Sequence, residues 1–142
     1  MITPLLNFIS VLYKTGSFIV LKFRSLRGRQ FSDTKIISID NLSFGGTGKT
    51  PMVMEVAGIL KDAEVKFSIV TRGYGSLNKE SSLLVKKEHT WKEVGDEVKM
   101  MTDELPGIDI FKGSDRVRSI TGSIKRGNSV VILDDGFQSA GI

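Results

Sequence analysis

The residues with the clearest chemical potential form a glycine-rich stretch in the first half of the chain. They are Ser43, Phe44, Gly45, Gly46, Thr47, Gly48, Lys49 and Thr50. In such a loop the backbone N–H groups and the N-terminus of the next helix surround phosphate oxygens, a lysine reaches the β- and γ-phosphates, and a threonine hydroxyl binds Mg²⁺. Although Ser43 stands where this pattern usually has glycine, the stretch predicts a P-loop for ATP and Mg²⁺, with Lys49 also contributing to catalysis.

Two carboxylates follow a wholly aliphatic segment near the end of the chain. Residues 130–133 read V-V-I-L and lead directly into Asp134 and Asp135. A P-loop protein needs an acid from another strand to hold the metal ion or its water, so we predict that both acids bind Mg²⁺. The alternative is a pair of acids in a solvated turn. Neither motif specifies the group that accepts phosphate.

Three further motifs go beyond general nucleotide binding. They read T-R-G-Y-G from Thr71, V-G-D-E from Val94 and D-D-G-F-Q from Asp134. Together with N-L-S-F-G-G-T-G-K-T-P from Asn41, their order and spacing resemble the tetraacyldisaccharide 4′-kinase family. The resemblance extends from the N-terminal segment to Gln138, which is nearly the whole chain.

The resemblance implies a kinase of lipid A biosynthesis. Such an enzyme transfers the γ-phosphoryl group of ATP to the 4′-hydroxyl of a tetraacylated glucosamine disaccharide 1-phosphate at the inner-membrane surface. In this family the Asp of V-G-D-E, here Asp96, accepts the proton of the attacking hydroxyl, a role that a carboxylate can fill in phosphoryl transfer. Glu97 would bind Mg²⁺ or orient Asp96. The alternative for Asp96 is a purely structural N-cap of the next helix.

Three more residues are candidates for the acceptor side. Arg72 and Tyr74 follow a predicted strand, at the end where ligands bind in open α/β sheets, and they resemble acceptor-binding residues of the family. Arg116 resembles another basic residue of the family and could face a phosphate. For Arg116 a place on the surface of a helix is the alternative.

The chain also departs from the family pattern. The family usually continues D-D-G-F-Q with histidine, whereas this chain has Ser139 and ends three residues later. Members of the family are also considerably longer, so this chain would lack part of the wall that orients the two substrates. Because orientation is a large part of a catalysed barrier, we expect weak or absent activity from the isolated chain.

The elements that must position these residues alternate between strands and helices from residue 33 onward. We predict strands at 35–40, 66–71, 82–86, 108–112 and 129–134, and helices at 51–61, 96–103 and 115–125. This alternation is typical of a parallel α/β sheet with flanking helices, here of the P-loop NTPase kind. Residues 33–142 would form this single core, with a C-terminus that looks cut rather than finished.

Residues 1–32 form a separate, basic arm. Its five basic residues, without any acid, give +5, whereas the other 15 basic and 16 acidic residues give −1. The arm is apolar around most of a predicted helix, but lysines interrupt the run before the roughly 20 residues that a bilayer span needs. We therefore predict an amphipathic helix that lies on an anionic membrane surface, at the cytoplasmic face of the bacterial inner membrane and peripheral. Ordinary packing of this helix on the core is the alternative.

Composition excludes several other kinds of site. With no cysteine and one histidine, thiolate and histidine-based metal sites are ruled out. His89 and Trp91 lie in a polar stretch and are interpreted as structural or surface residues. The remaining functional alternatives are a non-catalytic nucleotide-binding fragment and a ParA/MinD-like membrane ATPase. Nucleic acid is not an expected partner, because the basic arm carries bulky aliphatic residues rather than exposed aromatics among arginines.

Overall fold

The structure is a computed structural model that describes residues 31–32, 34–40 and 48–134. The predicted N-terminal helix, the loop residues 43–47, Asp135 and Ser139 lie outside these described residues. The described part contains β1 (Lys35–Ile39), α1 (Lys49–Asp62), β2 (Phe67–Thr71), β3 (Leu83–Leu84), α2 (Trp91–Val94), α3 (Asp96–Glu104), β4 (Asp109–Lys112), α4 (Arg116–Lys125) and β5 (Val130–Asp134).

The strands form one sheet in the order β1-β5-β2-β4-β3. The first four strands in that order are parallel, which confirms the predicted parallel α/β sheet. β3 differs from the prediction, because it has two residues and pairs antiparallel with β4, with Leu84 opposite Phe111. An antiparallel edge strand on an otherwise parallel sheet is common in this fold class, and it leaves the edge short.

Helices cover both faces of the sheet. On one face, α1 and α3 bury Val53, Ala57, Val98 and Met101 against alternate strand residues such as Ile69 and Ile132. On the other face, Ile120 of α4 packs with Val70, Phe111, Val131 and Leu133. Because both faces are buried, β2 and β5 are buried at every residue, which accounts for the apolar run V-V-I-L of β5 and for the apolar residues of β2, where the buried Ser68 hydroxyl is hydrogen-bonded to that of Ser123.

The helix starts follow from local chemistry. α1 begins two residues earlier than predicted, at Lys49, so that Pro51 lies within the first turn, where its missing N–H costs no hydrogen bond. The short helix α2 was not predicted, although Thr90 and Glu93 form a capping box at its start. Gly95 ends α2 and is also the cap residue of α3. No helix among the described residues is long and apolar enough to cross a membrane.

Candidate active site

The functional candidates that the structure describes lie at the carboxyl edge of the parallel strands. Register places Ile39 opposite Asp134, and Thr71 opposite Lys112, at this edge. The N-terminus of α1 follows β1 through the glycine-rich loop. Its cap, Gly48, has φ of 79°, a left-handed conformation that favours glycine. Lys49 and Thr50 are the first two residues of this helix, whose N-terminal N–H groups can donate hydrogen bonds to phosphate oxygens.

Asp134 is held in place by side chains from two other elements. The Thr71 hydroxyl, at the end of β2, donates a 2.8 Å hydrogen bond to Oδ2 of Asp134. Nη2 of Arg116, at the start of α4, donates a 2.9 Å hydrogen bond to the Asp134 carbonyl oxygen. Asp134 is 8% exposed, so the alternative of a solvated turn is wrong for this residue.

Arg116 is buried rather than displayed on the surface of α4. It is 5% exposed, and its guanidinium points toward the end of β5. The alternative of a surface helix arginine is therefore wrong. The cap of α4 is the preceding residue, Asp115, whose side chain accepts a 2.9 Å hydrogen bond from the backbone N–H of Arg118.

The T-R-G-Y-G and V-G-D-E motifs lie against each other. A Cβ atom added at Gly95 would lie 2.7 Å from the Tyr74 carbonyl oxygen, and Gly95 has φ of 97°. Beyond this contact, the backbone N–H groups of Leu77 and Asn78 donate to the carbonyl oxygens of Lys92 and Glu93, at 2.8 and 3.2 Å. The close approach requires glycine at position 95 and joins the loop after β2 to helix α2.

Asp96 and Glu97 are the first two residues of α3, and both are exposed. Gly95 occupies the cap position, and no side chain caps this helix. The alternative that Asp96 is an N-cap is therefore wrong. Its carboxylate stands at the surface, one residue from the backbone contact with Tyr74.

Arg72 and Tyr74 are exposed and lie beside each other. Nη1 of Arg72 is 3.5 Å from the Tyr74 hydroxyl, and the guanidinium carbon is 5.9 Å from the centre of the ring. Tyr74 is 63% exposed. Both side chains therefore stand in solvent at the carboxyl edge of the parallel strands, where an acceptor molecule could reach them. We call this edge the catalytic edge, because it holds the candidate residues.

Lys112 is also part of this region, although no motif in the sequence indicated it. It is 1% exposed, its stem packs against Gly73, and its ammonium group donates to the carbonyl oxygen of Asn78. Burial lowers the pKa of Lys112 below its ordinary value, although the charge of Glu80 opposes this shift. Lysine is so seldom buried that sequence alone favours an exposed position.

Oxygen donors at this edge fit a magnesium ion. The Thr50 hydroxyl and the Asp134 carboxylate are hard ligands of the type that Mg²⁺ prefers. Within the described residues, no three acidic, histidine or cysteine side chains form a metal-binding group. Mg²⁺ at phosphate sites takes most of its ligands from phosphate and water, so such a group is not required.

A cavity of about 390 Å³ lies at the opposite edge of the sheet. Its lining includes Lys66, Phe67, Asp109, Arg126 and Asn128, around the beginnings of β2 and β4. Arg126 and Asn128 both donate to Oδ2 of Asp109, at 2.8 and 2.9 Å. These two hydrogen bonds engage the Asp109 carboxylate, and the cavity lies at the edge of the sheet opposite to the candidate site.

A parallel α/β sheet with a Gly-Lys-Thr helix start and an acid-ended strand at one edge defines a P-loop nucleotide-binding protein. Comparison with known proteins narrows this class. Residues 2–142 match the family model of tetraacyldisaccharide-1-P 4′-kinase. The chain belongs to that family.

Individual relatives agree with the family model. Tetraacyldisaccharide 4′-kinase of Syntrophus aciditrophicus is 37% identical over 94% of this chain, and that of Aquifex aeolicus is 36% identical over 94%. A crystal structure described as the "apo" form of LpxK from Aquifex aeolicus in complex with ATP covers 95% of this chain, with 34% identity and a TM-score of 0.71. The chain spans about two fifths of the length of these proteins (38%, 40% and 41%).

Proposed function

We propose that this protein is an ATP-dependent kinase acting on the 4′-hydroxyl of a tetraacylated glucosamine disaccharide 1-phosphate. The proposal includes a peripheral location at the cytoplasmic face of the inner membrane, with the basic residues 1–32 on anionic lipid. One observation carries the assignment of roles, namely the contact between Gly95 and the Tyr74 carbonyl oxygen. This contact holds the V-G-D-E and T-R-G-Y-G motifs against each other, and it supports the proposal that they would supply the base and the acceptor contacts.

The nucleotide would occupy the N-terminus of α1. Lys49 would neutralise the β- and γ-phosphates, the N–H groups of residues 43–48 would bind phosphate oxygens, and Thr50 would hold Mg²⁺. Asp134 would bind the metal ion or its water, together with Asp135 and Glu97. A Mg²⁺ ion held by these residues would supply positive charge that offsets the negative charge developing on the phosphate oxygens.

The acceptor would approach from the side of the loop after β2. The 4′-oxygen attacks the γ-phosphorus and passes its proton to the Asp96 carboxylate, while the bond from the γ-phosphorus to the bridging oxygen breaks and ADP leaves. Arg72 and Tyr74 would hold the acceptor through their exposed side chains. Arg116 would attract a phosphate of the acceptor with its positive charge, from its buried position beside Asp134.

The test is phosphate transfer in detergent micelles that contain the acylated disaccharide 1-phosphate. With Mg²⁺ and γ-labelled ATP, the label should move to the lipid, and ADP release should require the acceptor. Lys49→Ala should abolish both ATP binding and transfer. Transfer that survives Lys49→Ala would refute the site.

Nucleotide binding without transfer is the second candidate, because the chain covers about two fifths of its relatives' length (38% and 40%). It predicts Mg-ATP affinity that depends on Lys49, with no labelled lipid. A ParA/MinD-like ATPase instead predicts ATP hydrolysis that does not need the acylated acceptor, and the family match argues against it.

A further inference from the structure

A cluster of exposed apolar side chains lies beside the catalytic edge. Tyr74, Leu77 and Trp91 are 63%, 70% and 59% exposed. Two come from the loop after β2 and the third begins helix α2, and the hydrogen bond from Leu77 N to Lys92 O, at 2.8 Å, fixes the two segments to each other. We call residues 72–79 and 91–94 the apolar patch.

A basic side chain lies beside each aromatic ring of the patch. The Lys92 ammonium is 5.5 Å from the centre of the Trp91 ring, and the Arg72 guanidinium is 5.9 Å from that of Tyr74. Both distances lie within the roughly 6 Å range of a cation–π contact. Aromatic rings with lysine or arginine alongside are typical of groups at a lipid–water boundary, where the ring enters the apolar layer and the cation stays among headgroups.

The charge of the patch is also positive. Within the patch Arg72, Lys79 and Lys92 stand against Glu93. The adjacent Glu80, which accepts a hydrogen bond from Asn78 Nδ2 at 3.2 Å, adds a second acid and leaves a charge of +1. Glu93 is turned to its own helix start, where Thr90 N and Thr90 Oγ1 donate to Oε2 at 2.7 and 2.8 Å. The patch therefore suits an anionic surface.

The shape of the patch favours a bilayer over a protein partner. It is built from a loop and a single-turn helix and forms no groove that would hold a partner's helix or strand. A bilayer requires no shape complementarity, only apolar tips and nearby cations.

We propose that the apolar patch docks on an anionic phospholipid bilayer and thereby turns the catalytic edge toward the membrane. Gly95 joins α2 directly to α3, so the Trp91 ring and the Asp96 carboxylate belong to one connected segment. This inference deepens the proposed function, since a lipid acceptor would then arrive from the surface on which the patch rests. It is separate from the predicted role of residues 1–32.

Trp91 makes a direct test possible, because it is the single tryptophan of the chain. Its emission therefore reports the patch alone, even if residues 1–32 carry most of the membrane affinity. The chain would be mixed with acceptor-free vesicles of phosphatidylglycerol and phosphatidylcholine, and binding would be followed by flotation. We expect the emission to shift to shorter wavelength and to be quenched by lipids brominated on their acyl chains, with a weaker response on pure phosphatidylcholine.

A matched pair of variants separates the patch from general surface hydrophobicity. Leu77→Ser removes an exposed side chain of the patch, whereas Ile59→Ser removes one of similar exposure, 60%, from helix α1. Leu77→Ser should reduce bromolipid quenching of Trp91, and Ile59→Ser should leave it unchanged.

Three outcomes would overturn the proposal. The first is that the chain does not float with the vesicles, and the second is that it floats with its Trp91 emission unchanged. The third is that the emission shifts when the protein concentration is raised without lipid, which would indicate that a second copy of the chain binds the patch. The result is independent of turnover. Quenching without phosphate transfer would support the docking surface and contradict the kinase assignment. Phosphate transfer without quenching would support the kinase assignment and contradict the docking surface.

Discussion

The Thr71 hydroxyl and the Asp134 carboxylate form a buried 2.8 Å hydrogen bond between the ends of neighbouring strands β2 and β5. Thr71 is the first residue of the T-R-G-Y-G motif, and its carbonyl oxygen accepts from the N–H of Gly113 at 3.0 Å. One residue therefore links the proposed metal ligand, the acceptor loop and the end of β4. Its importance was not evident from its type, because a threonine at a strand end is ordinary.

Replacing Thr71 by valine keeps its shape and removes its hydroxyl. The Asp134 carboxylate would lose that donor in a buried setting, which costs about 1–3 kcal/mol of folding free energy. We also expect weaker Mg-ATP binding, because the carboxylate would lose its fixed direction. Denaturant unfolding and calorimetric titration measure the two effects.

The control for this variant is Thr71→Ser, which keeps the hydroxyl and loses one methyl group. It should cost about 0.8 kcal/mol of stability and leave Mg-ATP affinity close to that of the wild type. Equal affinity for Mg-ATP in both variants would contradict a positioning role for Thr71.

Gly95→Ala tests the contact between the two acceptor-side motifs. The backbone at φ 97° and ψ 150° is open to glycine alone, and the new Cβ would meet the Tyr74 carbonyl oxygen at 2.7 Å. We expect a loss of roughly 1–3 kcal/mol in the free energy of unfolding. Gly58→Ala in helix α1 is the matched control, since its Cβ would meet nothing within 4 Å and alanine favours helix by up to about 1 kcal/mol.

Asp96→Asn should separate catalysis from folding. Since Gly95 caps α3, the variant should keep its stability to within about 1 kcal/mol, the scale of a charge at a helix N-terminus. ATP affinity should also be retained. If Asp96 accepts the proton of the acceptor, kcat should fall by about 10²–10⁴-fold. Phosphate transfer at saturating ATP measures this, and turnover near that of the wild type would remove Asp96 as the base.

Asp109 provides a prediction on pH, far from the active site. Burial raises the pKa of Asp109, but the hydrogen bonds from Arg126 and Asn128 and the charges of Arg126 and Lys66 outweigh burial and leave it below its usual value. A lowered folded-state pKa stabilises the protein above the unfolded-state value of about 4 and loses that contribution as pH falls through the folded-state value. Asp109→Asn should thus lower Tm at neutral pH.

The difference in Tm between Asp109→Asn and the wild type should shrink as the pH falls below about 4. Asp103→Asn is the control, because its 2.7 Å pair with Lys99 is an exposed i,i+4 salt bridge of small energetic value. Scanning calorimetry across this range measures both. A Tm difference for Asp109→Asn that stays constant down to the lowest pH would contradict a lowered pKa of Asp109 in the folded protein.

Much of the sheet could be predicted because its centre is buried on both faces. The apolar run V-V-I-L of β5 and the mostly apolar F-S-I-V of β2, each followed by polar residues, favour buried parallel strands. Sequence alone places the start of α1 two residues too late, because proline often occupies the first position of a helix and Pro51 suggests such a start. In the structure the left-handed backbone of Gly48 caps the helix, which begins at Lys49. Helix α2 could have been predicted from Thr90 and Glu93, whose spacing forms the capping box.

The contacts between motifs could not be predicted from sequence. The burial of Arg116 and Lys112 depends on which strand ends meet, and that is set by the strand order β1-β5-β2-β4-β3. The short antiparallel β3 is likewise decided by the edge of the sheet, since apolar residues 83–85 suit either direction. The residue types at the site indicate the chemistry, and the strand order determines which of them touch.

Gly95 has a consequence for changes in chain length. The same residue ends α2 and begins α3, so no spare loop residue lies between them. One residue inserted after Gly95 would turn Asp96 by about 100° around the axis of α3 and shift it by about 1.5 Å. The same rotation would carry Val98 and Met101 out of the core, so such an insertion would disturb either this packing or the position of the Asp96 carboxylate, whereas surface loops elsewhere would absorb it.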